Sequence, residues 1–196
     1  MDGDRWGSIV AGGLVDGVRK EIAATGWAAS RVVAAAGDET TVAAWLEPSA
    51  DEGAGLAEVL ALVAALGSDR VVHAGLARTG GAVAPRSQGP DSRWTGRRVV
   101  LAVEVVDASG GAVTRRAWRH PVEEAGGRRR LGRGREVVAG QRRVAVDLAA
   151  AVGPVDDPAE GPAVAALLAR CCARGHDLLV TVPLAARLLV EAGPEL

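Results

Sequence analysis

The stretch "EEAGGRRRLGRGREVVAGQRR", Glu123 to Arg143, sets seven arginines among glycines. Guanidinium groups are forked donors that match phosphate or carboxylate oxygens two bonds at a time, and glycines let backbone N–H groups come close to an anion. Arg128, Arg129, Arg130, Arg133 and Arg135 are therefore candidate anion ligands. Arg115, Arg116 and Arg119 upstream, and Arg142 and Arg143 downstream, extend the patch. Trp94, between Arg93 and Arg97, is a candidate for stacking on a base. The competing reading is a solvated loop that holds nothing. No aromatic residue interrupts the arginine run, which weighs toward that reading.

Composition explains part of the arginine content. The chain has 196 residues, no Tyr, Phe or Asn, and a single lysine, Lys20. The missing residues have AT-rich codons, so a GC-rich coding sequence, of the high-GC bacterial kind, accounts for arginine standing where lysine is usual. It does not account for placement. From Arg93 to Arg143 there are thirteen arginines and five carboxylates, a net of +8. The remainder has ten basic and nineteen acidic residues, a net of −9. Segregation of this kind points to an anionic partner, or to an acidic surface on a second copy of the chain.

Other chemistry is thinly represented. The sequence has no GxxxxGK[ST], HExxH, CxxC or GxSxG pattern, and no cofactor is expected. Asp147, Asp156, Asp157 and Glu160 form an acidic cluster where an α/β fold could hold Mg²⁺, Asp156 and Asp157 being the weak metal candidates. Capping explains much of it: Asp157, Pro158 and Glu160 have the spacing of a helix N-terminus. Cys172 and His176 have metal-compatible spacing, but Gly175 should end the helix between them, and Cys171 reads as a small buried residue. His73 and His120 are isolated in the sequence. With no Phe or Tyr, the tryptophans supply bulk, and Trp45 and Trp118 read as core.

The elements that must position these groups are mixed. Apolar spacing predicts a helix over roughly 5–24, capped by Asp4, with Ile9, Val10, Leu14, Val18 and Ile22 on one face. Two strands around "GDE" follow, then a helix carrying Leu56, Val59, Leu60, Val63 and Leu66, stopped by Gly67. A strand at "SDRVVHAGLARTGG" leads into a long Gly/Pro/Ser loop, 80–96. A hairpin is expected at 97–119, then a second long flexible loop, 120–141. The C-terminal stretch reads as strand, helix, strand, helix: a βαβα unit with a parallel strand pair. The expected fold is α/β to α+β, one domain over 1–196, with a mixed sheet of about six or seven strands and helices packed on it.

The segment "ARGHDLLVTVPLAARLLVEAG" resembles the closing part of STAS domains, regulators of sigma-factor pathways. The resemblance implies a regulatory protein-interaction domain. The STAS phosphorylation position reads "DDPAEG" here, without Ser or Thr, and no functional residue carries over. "ARGHDLLVTVP" is also similar to a turn of nucleotide-sugar glycosyltransferases, which place it near the chain start.

Taken together, the residues favour a non-catalytic binding or regulatory domain whose Arg/Gly patch meets nucleic acid, polyphosphate or an acidic protein surface. The alternatives are a small α/β enzyme with its site at the acidic 149–161 loop, a STAS-like regulator, and a homo-oligomer held by the charge segregation. No apolar run reaches the roughly 20 residues of a membrane span, and "MDGDRWGSIV" lacks the features of a signal peptide, so a cytoplasmic, soluble protein is expected.

Overall fold

The computed structural model describes residues 3–48, 52–79, 98–138, 147–153, 159 and 161–181. In chain order these form α1 (Gly3–Thr25), β1 (Ser30–Ala36), β2 (Glu39–Leu46), α2 (Glu52–Ala65), β3 (Arg70–Thr79), β4 (Arg98–Asp107), β5 (Thr114–Ala125), β6 (Arg128–Leu131), β7 (Arg135–Val137), a 3-10 turn (Leu148–Ala151), α3 (Gly161–Ala173) and β8 (Asp177–Val180). The fold is mixed α+β and dominated by strands. One sheet of eight strands runs β6-β5-β4-β3-β1-β2-β8, with β7 also paired to β5.

The sheet is covered on both faces. Side chains alternate across a strand, so neighbouring residues enter different cores. On β3, Val71 belongs to the core under α2 and α3, and Val72 and Ala74 to the core under α1. On β4, Val106 faces the first core, and Leu101, Val103 and Val105 the second. α1 buries Trp6, Ala11, Val18 and Ile22 against β3, β4 and β6. Gly7 makes this approach close, because a Cβ there would stand 2.6 Å from Val105 Cγ1. The helices stop where a left-handed glycine lets the chain turn back: Gly26, Gly67 and Gly175 all have positive φ. After α3, the His176 N–H closes on the Cys171 carbonyl at 3.1 Å and the Gly175 N–H on that of Cys172 at 2.9 Å.

Several expectations change. Every strand pairing among the described residues is antiparallel, including β8 with β2. The parallel pair expected for the C-terminal βαβα unit is therefore not found there. Its first strand and last helix fall mostly on 139–146 and 182–196, outside the described residues, as does the expected loop 80–96. Asp147, at the end of that first expected strand, instead caps the 3-10 turn by accepting from the Ala149 N–H at 3.1 Å. The expected loop 120–141 is strand over most of its described part: β5 continues to Ala125, and β6 and β7 return along it. Trp45 is exposed rather than core, because it faces the side of the sheet opposite Val42, Ala44 and Leu46.

Candidate anion-binding face

The arginine-rich stretch folds because of two glycines. Gly126 and Gly127 have φ of 60° and 73°, the paired left-handed conformation of a two-residue hairpin turn. Val122 pairs with Leu131, Glu123 with Arg130, Glu124 with Arg129 and Ala125 with Arg128. Gly132 lies so close to β5 that a Cβ would stand 2.6 Å from Glu123 Oε1, and a Cβ on Gly134 would collide with the His120 ring. The chain is thereby pressed onto β5 before β7 pairs Arg119 with Arg135, Trp118 with Glu136 and Ala117 with Val137.

Register sorts the arginines, because directly paired residues of antiparallel strands share a face. Arg116, Trp118, His120 and Val122 share the α1 face with Arg129, Leu131 and Glu136. Side chains there serve the fold. Arg116 Nε donates to Glu136 Oε1 at 3.1 Å, and its guanidinium lies 4.9 Å from the Trp118 ring centroid. Arg129 Nη1 donates to the Gly26 carbonyl at 3.2 Å, just past the end of α1, where a cation complements the helix dipole. His120 is held below the usual histidine range by burial, opposed by a hydrogen bond with the Gly132 backbone and reinforced by the nearby Arg19 charge.

The opposite face carries Arg115 and Arg119 on β5, Arg128 and Arg130 on β6, and Arg135 on β7. Arg115 Nη2 bonds Asp147 Oδ1 at 2.9 Å. Arg119 is half-buried. Arg128, Arg130 and Arg135 are exposed, as is Arg133 in the 132–134 connection, and these four form no ion pair or side-chain hydrogen bond among the described residues. Glu123, opposite Arg130, is the carboxylate that interrupts this face on the hairpin.

The same face continues inward to groups that the sequence left apart. Arg119 pairs with Ala102 of β4, and Ala102 with Gly75 of β3. One step along the strands, Ala117 pairs with Glu104, Glu104 with His73, and His73 with Val32 of β1. A Cβ on Gly75 would stand 2.7 Å from Ser30 Oγ and 3.0 Å from His73 Cε1 and Nε2. Ser30, His73 and Glu104 thus gather on one sheet face at 6%, 5% and 7% exposure. His73 and Glu104 lie 31 positions apart and Ser30 lies 43 before His73, so no local spacing marks them. Isolated polar residues inside "VVHAG" and "VEVV" were the available signal.

Among the described residues the remaining candidates do not assemble into a site. Trp94, Asp156 and Asp157 lie outside the described residues, as do Arg142 and Arg143. Cys172 is exposed and Cys171 is fully buried, its thiol pushed up to about 11 mainly by burial. His176 is buried and accepts the Glu47 N–H on Nδ1 at 3.0 Å, which serves the strand ends. Among the described residues no group of three or more His, Cys, Asp or Glu side chains could hold a metal ion, and no helix is long and apolar enough to cross a membrane. Comparison with protein-family models, curated proteins and solved structures found no match.

Proposed function

We propose that this chain is a binding domain that docks an anionic macromolecule, nucleic acid first, on the face of β5, β6 and β7 turned away from α1. The register carries the reading: it separates arginines that build the fold, Arg116 and Arg129, from arginines presented together, with Arg128, Arg130 and Arg135 exposed. Phosphate contacts of this kind supply affinity without sequence preference, and each neutralised phosphate steepens the salt dependence. Trp118 sits on the other face against Arg116, so the described part of the arginine face has no aromatic platform for bases. That favours backbone contacts over base stacking.

The test is a titration with a short fluorescent single-stranded RNA and with a DNA duplex of similar length, at several salt concentrations. Micromolar binding with a log–log slope of about −3 or steeper supports three or more phosphate contacts. No binding at low salt overturns the proposal. The STAS-like alternative gains no support from the antiparallel β2–β8 pairing, and the enzyme alternative rests on the 149–161 loop, where Asp156 and Asp157 fall outside the described residues.

A further inference from the structure

The arginine face ends in a two-stranded ribbon. β5 pairs with β4 from Thr114 to Pro121 and with β6 from Val122 to Ala125. Among the described residues, 122–125 and 128–131 therefore pair only with each other, and β6 is an edge of the sheet. The glycine turn stands in open space, with nothing within 4 Å of a Cβ built at Gly126 or Gly127. One side of the ribbon is braced: Val122 and Leu131 pack in the α1 core, and Arg129 Nη1 donates to the Gly26 carbonyl. The other side presents Arg128 and Arg130 from β6 and Glu123 from β5, all exposed.

Shape and chemistry choose among nucleic acids. The major groove of B-form DNA is about 12 Å wide and admits a two-stranded ribbon, whereas the A-form major groove of duplex RNA is too deep and narrow for side chains to read. The four cross-strand pairs of the ribbon span about 13 Å, the length of about four base pairs. Glu123 makes the finer choice. Phosphate oxygens carry negative charge and only accept hydrogen bonds, so a carboxylate in this row opposes docking to a backbone alone. Glu123 lies directly opposite Arg130, yet forms no ion pair or hydrogen bond among the described residues. The major groove supplies the donor it lacks, cytosine N4 or adenine N6, one at every base pair.

We propose that the partner of the arginine face is duplex DNA in the B form, with the β5–β6 ribbon lying in its major groove. Arg128 and Arg130 meet phosphates along the groove wall, and Glu123 accepts from a base amino group on the groove floor. The inference deepens the nucleic-acid reading of this face and rests on it.

Fluorescence anisotropy with the full chain tests it on three duplexes of one sequence: DNA, RNA, and DNA whose cytosines are replaced by glucosylated 5-hydroxymethylcytosine. The modification leaves the phosphates untouched and fills the major groove from the cytosine C5 position. The unmodified DNA should bind at least about tenfold tighter than either of the others, the size of one or two lost base contacts. Equal affinity for all three overturns the groove placement and leaves the anionic-partner reading standing, whereas binding to none overturns both. Glu123→Ala, at an exposed position, is the second test. On a face that met only phosphates, removing a negative charge would tighten binding to every duplex. Loss of a base contact should instead weaken binding to the unmodified DNA by about threefold or more. Unchanged or tighter binding of that duplex overturns the proposal.

Discussion

The two faces of the β5–β6–β7 hairpin use one residue type for opposite ends. Toward α1, Arg116 lies over Trp118 and pairs with Glu136, and Arg129 closes on the carbonyl of Gly26. Away from α1, Arg128, Arg130 and Arg135 project from paired strands without a partner among the described residues. Composition treats these arginines alike. What separates them is the period of two along a strand, anchored on β6 by Leu131 in the α1 core. A register slip of one residue would exchange the faces and expose Leu131.

That comparison can be broken at its anchor. Leu131→Ala removes a buried side chain from the α1 core and should cost about 2–3 kcal/mol. For a chain of this size that lowers the melting temperature by roughly 4–12 °C, measurable by circular dichroism. A change under 1 °C would mean that β6 does not rest on α1.

The open face should respond in binding and not in stability. Replacing Arg128, Arg130 and Arg135 together by alanine should weaken duplex binding about tenfold or more at 0.1 M salt and flatten the log–log salt slope by about 3. The melting temperature should stay within about 1 °C of the parent. Arg129→Ala should do the reverse. Loss of its bond to Gly26 should cost about 1 kcal/mol and leave the salt slope unchanged.

Acidity should sharpen the same division. His120 on the α1 face and His176 near the β8 edge are both held below the usual histidine range, chiefly by burial. The folded state therefore binds fewer protons than the unfolded chain. Stability contributed by the neutral imidazoles is present above the ordinary histidine value of about 6.5 and is lost as pH falls below it. The melting temperature should be higher at pH 8 than at pH 5, and His120→Gln should reduce the difference. Arginine charge does not change over this range.

Much of the fold was legible because its signals are local. The apolar stripe Leu56, Val59, Leu60 and Val63 marks α2, and Gly67 and Gly175 end α2 and α3 as left-handed glycines. The hairpin of the arginine stretch was not legible. Gly126–Gly127 is a two-residue turn signal, but the flanks "EEA" and "RRRL" lack the apolar alternation that identifies strands, and only Leu131 reaches the core. Tertiary pairing to β5 overrode that local pattern. The C-terminal unit is not confirmed, its first strand and last helix falling mostly outside the described residues. Strand, helix, strand fits a parallel crossover, whereas β8 instead pairs antiparallel with β2, an element more than 130 positions before it. The gathering of Ser30, His73 and Glu104 needs three strands in register, which no single segment encodes.

The central claim is that register, not arginine count, decides which guanidinium groups meet an anion. The direct measurement is the salt dependence of duplex binding for two variants with equal loss of positive charge: Arg128→Ala with Arg130→Ala, and Arg116→Ala with Arg129→Ala. The first should flatten the log–log slope by about 2, and the second should leave it at the parent value. Equal flattening in both would contradict the account, because total charge alone would then explain the binding.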